Sequence, residues 1–125
     1  MGVAAAPGLG YAEPMQNDAL SEQKFEKRAD ETLRALDRAL SEVDGTEVDL
    51  ESGILTIEFD DGTKYVVNSH RAARQIWMAA ERNAWHFDPR AEGDGWSATK
   101  DGAEFWSTVE AVLSRKLGRA VSLSR

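Results

Sequence analysis

The chain contains no cysteine. Disulfides, thiolate zinc sites, cysteine-ligated iron–sulfur clusters and cysteine nucleophiles are therefore excluded. A bound metal would have to take carboxylate, imidazole, backbone oxygen or water, a donor set that favours hard or borderline cations. Histidine is almost as scarce: there are two, His70 and His86. They form neither H-x-x-x-H nor H-E-x-x-H, so each reads as a surface or strand-packing residue rather than a zinc ligand. There is no G-x-S-x-G, no phosphate-cradling glycine loop, no dinucleotide fingerprint and no Glu-x-x-His helix of the di-iron type. Nothing reads as an enzyme active site. No apolar run approaches the roughly 20 residues of a membrane span. No base precedes Lys24, so neither a secretory n-region nor an arginine-rich transit segment is recognisable, and the expected compartment is the cytoplasm.

The chain is instead rich in acid. Its 125 residues suit one domain and carry a net charge of −7. The charge is unevenly placed: residues 21–61 hold 13 acids against 5 bases, whereas residues 62–125 hold 10 bases against 7 acids. An acidic half repels nucleic acid and anionic membranes and attracts cations or basic protein surfaces. Residues 1–20 are small, glycine- and proline-bearing and aperiodic, as in a flexible tail, with Met15 a possible alternative start. Residues 21–125 form the single expected domain.

Within that domain Ser21 is an N-cap for a helix whose Phe25, Ala29, Leu33, Leu36, Leu40 and Val43 make one apolar stripe, closed by Asp44-Gly45. The period then changes to two. Glu47, Asp49 and Glu51 alternate with Val48 and Leu50, and Leu55, Ile57 and Phe59 with Thr56 and Glu58. Asp61-Gly62 predicts a hairpin turn, and Lys64 to Asn68 a returning strand. Residues 71–82 have helical propensities. Trp85-His86-Phe87 and residues 96–99 read as short strands, 104–117 as a second helix stopped by Gly118, and 121–123 as a last short strand. The pattern predicts an α+β fold: five to six antiparallel strands, both helices on one sheet face and the other face open.

Two candidate sites follow. Period two puts Glu47, Asp49 and Glu51 on one strand face, about 7 Å apart. Glu26, Asp30, Asp37 and Asp44 fall near one side of the first helix. Together they suggest a carboxylate ridge, although the spacing matches no recognised metal motif and such runs are commonly solvated faces. The second site is Trp77. On a helix it would be a buried core residue. On a strand, Ile76 and Met78 would take the core side and Trp77 the open one, as a protein-binding residue.

Gly53-Ile-Leu-Thr-Ile, Asp61-Gly62, Val66-Val67-Asn68, Gln75-Ile76-Trp77-Met78-Ala79, His86-Phe87, Trp96 and Phe105-Trp106 occur in an order and spacing that resemble the frataxin family, in its small bacterial CyaY form. The resemblance covers about residues 21–125. It implies an α-β-α sandwich and places residues 75–79 in a strand, overriding the helical propensity. It implies no tightly bound cofactor but weak Fe²⁺ and Fe³⁺ binding at Asp37, Glu42, Asp44, Glu47, Asp49 and Glu51. It further implies contact with the cysteine desulfurase and scaffold protein of iron–sulfur cluster assembly through an exposed surface of Asn68, Gln75 and Trp77. The expected protein is a monomeric, non-enzymatic, iron-binding regulator or iron supplier. Ferroxidase or iron-storage activity, or an interaction module with little iron binding, are the alternatives. Arg38, Ser41 and Thr46 stand where the family usually has acids, His70 where it has Gln, Ala72 where it has Pro, and Asn83-Ala84 where bacterial relatives often have Gly-Gly.

Overall fold

The computed structural model describes residues 21–125; the tail expected at 1–20 lies outside the described residues. Helix α1 spans Glu22–Leu40. The Ser21 hydroxyl caps it by accepting from the Lys24 N–H at 3.2 Å. Phe25, Leu33, Leu36 and Leu40 of the apolar stripe are fully buried. The helix stops three residues before Val43, earlier than the stripe predicts. Short polar side chains compete for the terminal carbonyls here: Ser41 Oγ donates to the Arg38 carbonyl at 2.6 Å and Thr46 Oγ1 to that of Val43 at 3.0 Å. Gly45, at φ +91°, then turns the chain into the sheet.

Six strands follow: β1 (Thr46–Glu51), β2 (Ile54–Phe59), β3 (Lys64–His70), β4 (Gln75–Ala80), β5 (Asn83–Pro89) and β6 (Trp96–Ala98). They pair antiparallel in chain order, a plain meander with β1 and β6 at the edges. The β1–β2 link is a two-residue turn with positive φ at both Ser52 and Gly53, the combination a twisted hairpin requires. The Asp61-Gly62 hairpin is confirmed, with the Gly62 N–H returning to the Phe59 carbonyl at 2.9 Å.

The segment with helical propensity divides. Residues 71–74 form the β3–β4 turn, which Arg74 leaves at φ +55°, and residues 75–80 are a central strand hydrogen-bonded on both sides. Local propensity loses because the strand buries Ile76, Met78 and Ala80 at 0, 2 and 4 % exposure while satisfying two ladders.

Helix α2 (Phe105–Leu117) closes the core. The Glu104 carboxylate caps it, accepting from the Trp106 and Ser107 N–H groups, and Gly118 ends it in the left-handed conformation. The strand expected at 121–123 does not form. Leu123 is buried without a strand partner, and its N–H donates instead to the Glu110 carboxylate at 2.8 Å. Both helices cover one sheet face, and Trp96 beneath them is fully buried with its indole N–H on Thr32 Oγ1 at 3.0 Å. The other face has no covering layer among the described residues, and it carries the candidate residues of the strands.

Candidate functional site

Register decides what meets on the open face. One cross-strand row runs Glu51, Ile54, Asn68, Trp77 and His86; a second runs Asp49, Thr56, Val66, Ala79 and Ala84; a third runs Glu47, Glu58 and Lys64. The β1 acids and Trp77 therefore share a surface, with the acids along its outer edge. Glu47, Asp49 and Glu51 are all exposed, while Val48 and Leu50 turn toward the core.

The helix-side acids sit elsewhere. Asp37 is half-buried in a groove of about 470 Å³ between α1 and the end of β1, lined also by Arg34 and Arg38. Glu42 and Asp44 lie exposed in the turn joining α1 to β1. The six candidate metal residues thus follow the rim of the molecule from α1 around to the open face. Among the described residues, no three His, Asp or Glu side chains converge closely enough to hold a metal ion. None of these six acids is in an ion pair among the described residues. Glu22 and Glu26 pair with Arg71, Asp30 with Arg34, Asp61 with Lys116 and Glu104 with Arg125. Asp61 shows what pairing does: the Lys116 ammonium at 2.8 Å, helped by Thr63, holds its carboxyl well below the usual carboxylate range. None of the six rim acids has a base that close, although Arg34 and Arg38 line the groove beside Asp37 and Lys64 lines one with Glu47 and Asp49.

One rim acid escaped the sequence reading. Glu58 stands directly opposite Glu47 on β2, two like charges on adjacent strands, with Lys64 of β3 opposite Glu58 on its other side to offset them. Its alternation was visible, but its partner was not, because the pairing depends on the length of the Ser52-Gly53 turn.

Around Trp77 the structure alters the expected picture. The residue is half-buried rather than bare. His70 stacks on one face of the indole, ring centroids 3.9 Å apart and planes within 15°, and His86 on the other at 4.2 Å and 12°. The indole N–H donates to Gln75 Oε1 at 2.7 Å, and Gln75 Nε2 donates to Asp88 Oδ1 at 2.9 Å. Asn68 lies across from Trp77, its amide donating to the Ser69 carbonyl at 3.1 Å. Asn68, Gln75 and Trp77 are thus brought together, all half-buried, and the two histidines and Asp88 complete the group. A strand-packing role for the histidines agrees with their spacing. That they pack on Trp77 depends on the four-residue β3–β4 turn for His70 and the two-residue β4–β5 turn for His86, which spacing did not disclose.

The family profile of the frataxin-like domain matches residues 18–119. Among solved structures, the frataxin from Psychromonas ingrahamii, described as a model to study stability modulation within the CyaY protein family, superposes with a TM-score of 0.77 at 22% identity, covering 85% of this chain and 100% of its own. Yeast frataxin superposes with a TM-score of 0.64 at 23% identity, covering 89% and 94%. Trimeric frataxin from Saccharomyces cerevisiae complexed with ferrous iron gives 0.58 at 21%, covering 81% and 89%.

Proposed function

The chain belongs to the frataxin family, and from that membership we propose that it is a non-enzymatic, iron-binding accessory protein of iron–sulfur cluster assembly. In this reading it regulates the cysteine desulfurase and scaffold complex, or supplies iron to it, by docking on that complex. The observation that carries the reading is the shared open face: an unpaired acidic edge of Glu47, Asp49 and Glu51 in continuous register with Asn68, Gln75 and Trp77. The solved relative complexed with ferrous iron supports iron as the cargo.

The chemistry suits weak, hydrated binding. Carboxylates are good ligands for hard cations. Alternate β1 acids stand about 7 Å apart, too far for one ion to take two of them without side-chain movement. Iron would thus be drawn by the summed field of the rim and keep much of its water. The same field would draw a basic surface of the desulfurase, in a contact that salt weakens. Anaerobic Fe²⁺ titration followed by NMR tests the iron half. Saturable broadening confined to residues 37, 42–51 and 58 is the expected result, and uniform broadening across the chain would sink it. Pull-down of the desulfurase across a salt series tests the partner half. Binding that survives Glu42→Lys together with Glu47→Lys would overturn the role of the rim.

A second reading, an interaction module with little iron binding, has one observation in its favour. Arg34 and Arg38 line the groove that holds Asp37 and dilute the field at that end of the rim. Anaerobic calorimetry with no saturable heat at sub-millimolar Fe²⁺, alongside intact desulfurase binding, would select it.

A further inference from the structure

An exposed tryptophan ordinarily offers a partner two things, an aromatic face for a cation and an indole N–H. Trp77 has committed both. The imidazoles of His70 and His86 cover its two faces at stacking distance, and Gln75, itself tethered to Asp88, takes the N–H. The stack bridges three strands. His86 is the cross-strand neighbour of Trp77 on β5, and His70 lies two residues beyond its β3 neighbour Asn68. The indole also lies between the two imidazoles and keeps them from sharing a metal ion. What the surface presents is therefore a row of ring edges, which carry the positive end of the aromatic quadrupole. His70 adds a donor. Its Nδ1 accepts the Ala73 N–H at 3.3 Å, which puts the proton of the neutral ring on Nε2.

We propose that His70 and His86 are positioning residues that clamp Trp77 edge-on, so that this face recognises its partner through hydrogen-bond acceptor oxygens brought to the ring edges and not through a cation stacked on the indole. The inference rests on the partner reading of the open face given above. It names what the partner must bring: a segment whose backbone carbonyls or carboxylates face the stack, while its basic residues meet the acidic β1 edge. Holding the indole in place before contact removes an ordering cost from docking.

The test compares His86→Ala, His70→Ala, Trp77→Phe and the His86→Ala/Trp77→Phe double variant, with His86→Phe as the rescue. His86 is exposed, so its replacement leaves the core intact. The first readout is the Trp77 indole N–H resonance, assigned by its loss in Trp77→Phe. It should move in both histidine-to-alanine variants. Methylguanidinium, a small planar cation, should perturb it in His86→Ala, where a face is uncovered, and leave the wild type unchanged. The second readout is affinity for the purified desulfurase–scaffold complex. Each histidine-to-alanine change should weaken it about tenfold, as loss of a central anchor does. His86→Phe should recover most of that, and the double variant should bind no worse than Trp77→Phe alone. Additive losses, affinity within twofold of wild type in His86→Ala, or methylguanidinium shifts already present in the wild type would each overturn the clamp. If the wild type fails to bind the complex, the partner reading falls with the acceptor recognition, and an indole resonance unmoved in both histidine variants separately overturns the clamp.

Discussion

Single side chains in this fold act mainly by satisfying or displacing one neighbour. Glu104 is a clear case because a carboxylate, not a hydroxyl or amide, caps α2. Burial pushes its carboxyl up, but the Trp106 and Ser107 N–H groups, the Ser107 hydroxyl and Arg125 outweigh it and hold the group below its ordinary value. Glu104→Ala should cost about 1 kcal/mol at neutral pH, as loss of an N-cap typically does, read from the urea midpoint. A carboxyl depressed in the folded state contributes fully above its unfolded value and loses that contribution as pH falls through the folded one. The stability gap between Glu104→Ala and wild type should therefore narrow in acid, and a gap independent of pH would mean that the capping bonds are not what the residue contributes. Tyr65 has the opposite sign. Burial and then the hydrogen bond its hydroxyl donates to Glu81 push its phenol up to about 12. Since the folded state resists ionising this group, stability should fall as pH rises above the unfolded phenol range, and Tyr65→Phe should flatten that alkaline limb. Ultraviolet phenolate titration of the native protein should lose a late step near pH 12 in Tyr65→Phe.

The elements differ in how much of their cause is local. Helix α1 declares itself through Ser21 and one apolar stripe, and β1 to β3 through strict alternation, so these were legible in the chain. Strand β4 was not: Ala, Met, Gln and Arg favour a helix locally, and only pairing with β3 and β5 makes 75–80 a strand. The resemblance supplied that assignment; propensity did not. The same limit hid the His70–Trp77–His86 stack and the Glu47–Glu58 pair, because each depends on a turn length that shifts register, and a one-residue slip would send every side chain to the other face. The turns are therefore where the sheet is most easily damaged. Gly53 and Gly62 both hold positive φ, but a Cβ at Gly53 would lie 2.7 Å from Ser69 Oγ, whereas one at Gly62 meets nothing within 4 Å. Gly62→Ala should cost about 1 kcal/mol from backbone strain alone. Gly53→Ala should cost somewhat more, because the Ser69 hydroxyl must also rotate away from the new methyl. Equal midpoints in urea for the two variants would show that the close approach of the β1–β2 turn to β3 adds nothing.

At the scale of the whole molecule, charge is organised by layer and edge rather than by any pocket. The acid-rich first half supplies α1 and β1 to β2, so the excess negative charge collects along one rim, while the more basic second half builds the far side. Charges on the β1 edge also discourage pairing with the edge of another sheet, a benefit that needs no ligand. The two roles make different demands. Edge protection needs only that charges be present, whereas a chelating site needs them to converge, and among the described residues no three converge. Iron binding here should consequently follow the number of rim charges and not the identity of any one. Single replacements Glu47→Gln, Asp49→Asn, Glu51→Gln and Glu58→Gln should each weaken Fe²⁺ binding by about twofold, the effect of one screened charge several ångströms away. The quadruple replacement should lose roughly the product of the four effects, as independent contributions do. Raising ionic strength from 0.01 to 0.15 M, which shortens the screening length from about 30 to 8 Å, should mimic much of that loss in the wild type and little in the quadruple variant. Anaerobic calorimetry across the series decides the matter. One replacement that abolishes binding while the other three are silent would mean a discrete site that assembles only around the ion, and the account of the rim as a distributed field would then be wrong.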